Sequence, residues 1–154
     1  MAGEVFSDLI HDLGKLFNSE LKADEKNTCL FTLENGIKIQ MEPDGEEEAL
    51  MIGADLGPIP PGAYRREIMA HALQANGRPE PRYGKFAYST QTETLLLFDS
   101  LALKEVTAEE VFEFLSYFAK KAETWKGIIE RGETPAGTTS EGPGGSGRAF
   151  GLTP

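Results

Sequence analysis

At 154 residues with a formal charge of −10, from 25 Asp and Glu against 15 Lys and Arg, the chain is long enough for one domain with a real core. It is too acidic to neutralise a phosphate backbone or to be drawn to an anionic lipid surface, and no apolar run approaches the ~18 residues of a membrane span. Cys29 is the only cysteine, so no internal disulfide can form, and the start Met-Ala-Gly-Glu lacks the basic region of an export signal, so a cytoplasmic location is expected.

Val5, Phe6, Leu9, Ile10, Leu13, Leu16 and Phe17 fall on one stripe, which predicts an amphipathic helix over residues 4–21. Two strand-like runs, 29–34 and 37–41, flank Asn35-Gly36, a pair that tolerates positive φ and predicts a tight type I′ hairpin. Phe31 and Leu33 share one face of the hairpin, and so do Ile37, Ile39 and Met41. The acidic turn over residues 43–48 leads to a third strand, 50–56, in which Met51 lies behind Leu50 and Ile52. The Gly- and Pro-rich stretch 57–62 is expected to end that strand and deliver a short helix over 63–75, closed by Asn76-Gly77 as a C-cap pair. A loop with Pro79 and Pro81 precedes a fourth strand near 83–89, and a turn at 90–93 precedes a fifth.

The fifth strand, Leu95 to Phe98 and onward to Leu103, is apolar on both faces: Leu95 and Leu97 on one, Leu96 and Phe98 on the other. One face can pack on helices, and the other must also meet something. Thr107-Ala108-Glu109-Glu110 reads as a capping box, in which the Thr107 hydroxyl and the Glu110 carboxylate each satisfy an orphan N–H. Behind it Val111, Leu115, Phe118, Ala122, Trp125 and Ile129 recur at helical spacing, with Phe114 and Ile128 widening the stripe. The predicted order is α-β-β-β-α-β-β-α, an α+β fold with a twisted antiparallel sheet packed by helices. Residues 1–131 form this domain. Of residues 132–154, 16 of 23 are Gly, Pro, Ser or Thr, which predicts a disordered tail whose only bulky apolar side chains are Phe150 and Leu152.

Chemistry is hard to find in this pattern. His11 and His71 sit 60 positions apart on different helices and read as solvated helix histidines. One cysteine and two histidines supply no zinc-type ligand set and no nucleophile triad, so no metal, no cofactor and no catalytic residue is expected. Glu46-Glu47-Glu48 lacks the spaced ligands of a calcium loop and reads as a solvated turn. The Gly-rich stretch 141–147 has neither the Gly-Lys-Ser/Thr end nor the strand and helix of a phosphate loop. Arg65 and Arg66, at a helix start where cations oppose the macrodipole, read as a snorkelling surface pair, and Trp125 reads as core.

The order and spacing of Gly53-Ala54-Asp55-Leu56-Gly57-Pro58-Ile59-Pro60, of Ala70-His71-Ala72-Leu73-Gln74-Ala75-Asn76, and of the unit from Leu95 through Phe118 to Trp125 resemble the type III secretion chaperone family of the Tir-chaperone type. The resemblance covers roughly residues 5–131. It implies a small acidic homodimer in the bacterial cytoplasm that binds the extended N-terminal segment of one or more secreted effector proteins without turnover and keeps them secretion-competent. It also implies a dimer contact through the second helix and the strands after it, here Ile68, Met69, Ala72, Leu73, Phe86, Tyr88, Leu96 and Phe98. Effector grooves are implied near the first helix and first three strands, here Leu30, Met51, Ile37 and Ile39, of which Leu30 and Met51 oppose the core-facing set. The partner of the dimer is self or a related chaperone, with no nucleic acid and no membrane insertion. The second reading is a regulatory adaptor of similar α+β shape outside secretion. A small enzyme comes third, for want of convergent polar groups.

Overall fold

The computed structural model describes residues 2–135, with the side chains from residue 4 onward. The elements are α1 (Ala2–Phe17), β1 (Cys29–Thr32), β2 (Lys38–Pro43), β3 (Ala49–Pro58), α2 (Ala63–Asn76), β4 (Lys85–Ser89), β5 (Thr94–Ala102) and α3 (Ala108–Arg131). The predicted order is the order found. The five strands form one open antiparallel sheet in the order β1-β2-β3-β5-β4.

The core lies on one face of that sheet. Phe6, Leu9, Ile10 and Leu13 of α1 meet Val111, Leu115, Phe118 and Ala122 of α3 above Ile37, Ile39, Met41, Leu50, Ile52, Leu56, Leu95 and Leu97. The α3 stripe is therefore buried where helical periodicity puts it, and of the α1 stripe Phe6, Leu9, Ile10 and Leu13 are buried, Val5 and Phe17 are half-buried and Leu16 is exposed. The capping box is present in both halves: Glu110 donates its N–H to Thr107 Oγ1 (3.1 Å), and Thr107 donates its own to Glu110 Oε1 (2.9 Å). Trp125 is buried against Phe86, with ring centroids 4.2 Å apart.

Boundaries and turns differ from the sequence reading at several points. α1 stops at Phe17 rather than 21, because Asn18 takes a positive φ and Ser19 donates its N–H back to the Gly14 carbonyl (2.9 Å), which lets Leu21 fold into the core. The hairpin is not the expected two-residue type I′ turn. Leu33 donates to the Ile37 carbonyl, so the loop has three residues, and of these only Gly36 is left-handed. Asn35 stays at negative φ and accepts the Ile37 N–H on Oδ1 (3.0 Å). β3 runs on to Pro58 through a bulge at Asp55/Gly57, where Asp55 Oδ1 accepts the Gly57 N–H (2.8 Å). β4 starts at Lys85 instead of 83, since Tyr83 and Gly84 both have positive φ. A Cβ on Gly84 would lie 2.8 Å from Leu97 Cδ1, so both space and backbone require glycine there.

Gly77 caps α2 as expected, in a right-handed conformation with its N–H donating to the Leu73 (3.2 Å) and Gln74 (3.1 Å) carbonyls, and Asn76 has a further use, described below. The tail reading begins inside the described residues and continues outside them. Glu133 donates its N–H to the Ile128 carbonyl (3.0 Å), and Tyr64 Oη donates to the Glu133 carbonyl (2.6 Å), so the chain is tied to the body at least this far. Residues 136–154, with Phe150 and Leu152, lie outside the described residues.

Candidate partner-binding surface

An open sheet has two edges, and an edge is a row of unpaired donors and acceptors. The two edges here are treated differently. At β4, Asn76, the last residue of α2, offers its amide as a substitute peptide group: Oδ1 accepts the Phe86 N–H (2.8 Å) and Nδ2 donates to the Phe86 carbonyl (3.0 Å). Next to it, Lys121 Nζ donates to the carbonyls of Arg82 (2.9 Å) and Gly84 (2.8 Å) and lies 5.0 Å from the Phe86 ring centroid. Burial holds the Lys121 ammonium below its usual range, with only partial relief from Asp99. These two side chains block the start of the β4 edge, at Phe86 and the two carbonyls just before the strand.

The β1 edge is open. In an antiparallel pair only alternate residues bond to the neighbour. The Leu33 N–H bonds the Ile37 carbonyl (2.8 Å), so in the same register Phe31 and Cys29 bond to β2, and the backbone groups of Leu30 and Thr32 point outward. Above this edge lies a groove of about 770 Å³ between the end of α1, β1 and α3. Its floor is aromatic: the Phe17 ring lies 5.7 Å from Phe31 and 4.8 Å from Phe112 between centroids. Asn35 Nδ2 reaches the Ala119 carbonyl at 3.5 Å and holds the hairpin loop beside α3.

The sheet face away from the helices is uncovered by any described element. It carries Leu30 (63% exposed), Met51, Leu96 and Phe98 (37%) around a depression of about 470 Å³, edged by Lys38, Gln40, Glu42 and Asp55. Leu30 therefore stands at the open edge and on the open face at once, and Met51 shares that face. The two other residues named for effectors do not. Ile37 and Ile39 are 2% and 0% exposed, because the hairpin register turns them towards α1 and α3, and they offer no surface to a partner of the folded protomer.

The residues named for a dimer contact also divide. Ile68, Ala72 and Phe86 are buried inside the protomer, where Ile68 and Ala72 form the inner stripe of α2 and Phe86 packs on Trp125. Leu73 is 69% exposed, and Met69, Tyr88, Leu96 and Phe98 are partly exposed, so these five remain available. Tyr88 lies under the Arg65 guanidinium (5.0 Å to the ring centroid), and Arg65 also donates to the Ile59 carbonyl and pairs with Glu93 at 2.9 Å. Arg65 is thus a structural clamp instead of the expected free snorkelling side chain.

Sequence reasoning placed Phe17 on the apolar stripe of α1 and passed over Phe112 and both edge plugs. Phe112 carries a readable signal, since it is a bulky apolar residue one position off the buried stripe. Asn76 and Lys121 carry none, because their targets are backbone groups 10 and 37–39 positions away. Among the described residues no group of three or more His, Cys, Asp or Glu side chains could hold a metal ion, and no helix is long and apolar enough to cross a membrane.

The Tir chaperone protein (CesT) family profile matches residues 8–126. No curated protein sequence matches. Among solved structures, the Yersinia pestis type III secretion chaperone SycH, in complex with a stable fragment of YscM2, is similar at 16% identity and a TM-score of 0.64, over 77% of this chain and 98% of that one. The HopA1-SchA chaperone-effector complex matches at 15% identity and 0.62, over 82% and 96%. The ExoT-SpcS complex from Pseudomonas aeruginosa matches at 13% and 0.61, over 78% and 96%. At these identities the structural likeness is one of fold.

Proposed function

The chain belongs to the Tir chaperone protein (CesT) family, and from that premise we propose that it is a type III secretion chaperone that binds effector proteins and keeps them soluble and competent for export. It does so by holding an extended segment of the client, with no chemical turnover, in the bacterial cytoplasm. The observation that carries the mechanism is the asymmetry of the sheet edges. An extended client can add to β1 at Leu30 and Thr32, whereas Asn76 and Lys121 block the start of β4. Strand addition supplies affinity through main-chain hydrogen bonds, and alternate client side chains then face either the Phe17–Phe31–Phe112 groove or the open face beside Leu30.

The second part of the proposal is a homodimer through Met69, Leu73, Tyr88, Leu96 and Phe98. The support is the apolar surface left over once Ile68, Ala72 and Phe86 are assigned to the protomer's own core. The test of function is capture of partners from the native bacterium followed by limited proteolysis of the complex. Secreted proteins protected along one extended stretch are expected. If every captured partner is a folded domain, the protein is an adaptor, and if a small molecule is consumed it is an enzyme; either outcome overturns the chaperone reading.

A further inference from the structure

At the opposite side of the molecule from β1, the end of α2, the loop after it and the C-terminal half of α3 enclose a cavity of about 760 Å³. It is lined by four of the chain's 15 Lys and Arg, namely Arg78, Arg82, Lys121 and Arg131, together with His71, and by a single carboxylate, Glu133. In a protein of charge −10 this is a local inversion of sign. Two of these cations are already matched, Arg131 to Glu133 at 2.9 Å and Arg82 to Glu80. No carboxylate of the described residues lies within 4 Å of the Arg78 guanidinium or of Lys121 Nζ. Two buried polar atoms in the wall, His71 Nδ1 and Arg82 Nε, have no hydrogen-bond partner among the described residues, although buried polar groups are otherwise nearly always satisfied.

We propose that this cavity is an anchor for an acidic side chain of a bound client segment, flanked in the client by an apolar residue. The inference rests on the chaperone reading and adds a second, polar point of attachment to the β1 edge. Charge complementarity selects the acidic group: a carboxylate entering here meets Lys121 and the exposed Arg78, which has no ion-pair partner among the described residues. The floor selects the rest. Pro79 and Pro81 are exposed in its lining, beside the edges of the otherwise buried Trp125 and Ile128, so an apolar side chain next to the acid covers surface that a bare small anion would leave in water. The cations lie on two sides of the cavity, Arg78 and Arg82 at the α2 end and Lys121 and Arg131 on α3, and an extended segment passing between them meets both.

Trp125 is the only tryptophan, so its fluorescence reports the cavity directly. The full chain is titrated with a short peptide alternating leucine and glutamate, with its leucine-glutamine counterpart, and with inorganic phosphate. A saturable change in Trp125 emission is expected with the glutamate peptide, with affinity weaker by about tenfold or more for the glutamine peptide and for the R78E protein. The Arg78 side chain has no described ion-pair partner, so R78E should keep the wild-type unfolding curve; R78Q serves if it does not. Equal binding of both peptides, an undiminished response in R78E, or silence of Trp125 throughout would overturn the proposal. So would phosphate that produces the same change and displaces the peptide, which makes the cavity a small-anion site. The two readings fail separately. If a captured effector binds R78E as tightly as wild type, the anchor is wrong and the chaperone stands; if no effector is captured while the glutamate peptide still depends on Arg78, the reverse holds.

Discussion

Asn76 does with one side chain what a neighbouring strand does with a peptide group, and this makes it the residue whose loss is easiest to forecast. In N76A the Phe86 N–H and carbonyl lose their partners at a half-buried edge, which should cost about 1–3 kcal/mol in urea unfolding. The same variant should also be more prone to self-association, measured by light scattering, because an unplugged edge is a template for pairing. Cys29 makes a second forecast. Its thiol is raised above 9.0, first by burial, then by Asp24 acting against a backbone hydrogen bond from Lys22. A raised folded value means the folded state holds the proton longer than the unfolded chain. The stabilisation is therefore complete below the ordinary thiol value and is lost as pH rises through the folded one. Alkylation of the native protein should be slow, and C29A should lose less stability than wild type between neutral pH and the alkaline range above 9.0. Neither role was legible from residue type, since Asn76 read as half of a C-cap pair and Cys29 as the start of a strand and the absence of a disulfide.

At the scale of elements, β1 is short, exposed on its outer side and bonded to β2 through Cys29 and Phe31, so its outward groups can be altered without breaking the ladder. T32P removes one outward donor at an edge where proline is tolerated. Folding should be preserved, and the affinity for an extended client should fall by about tenfold, the worth of one main-chain hydrogen bond of roughly 1 kcal/mol together with lost backbone freedom. Isothermal titration with a captured effector segment measures this, and unchanged affinity would move the client away from β1. α3 is the element that the sequence described best. Its start rests on a reciprocal pair of local hydrogen bonds, and its face follows from a stripe of eight residues that all prove buried or half-buried. The hairpin was read less well, because a two-residue and a three-residue loop through Asn35-Gly36 share the same dipeptide. The choice was made by Asn35 capping Ile37 instead of adopting positive φ.

For the whole molecule the open forecast is assembly. L96D is a poor test, because Leu96 pairs with Asp55 across the β3–β5 ladder, and like charges directly opposite would weaken the sheet itself. L73D is cleaner: Leu73 is 69% exposed in the protomer, so an aspartate there leaves the fold alone. If Leu73 lies in the dimer contact, the charge is desolvated on association and the dimer should weaken by about 3–5 kcal/mol, read as monomer by size-exclusion with light scattering. A wild-type monomer, or an L73D dimer of undiminished stability, would remove this surface from the contact.

The amino-acid sequence by itself determined the element order, the α+β class, the two buried helical stripes and the cap of α3, since each depends on periodicity or on contacts within a few residues. It also pointed to the family, through the order and spacing of segments over most of the chain. Only the tertiary structure decided which apolar residues are left for partners. A period-2 strand pattern separates two faces but does not say which one the helices cover, so Ile37 and Ile39 could be read as surface until α1 and α3 were seen to pack on them. The blocking of the start of β4, the opening of β1 and the gathering of cations around Trp125 depend on groups distant in the chain meeting in space, and no local pattern records such a meeting.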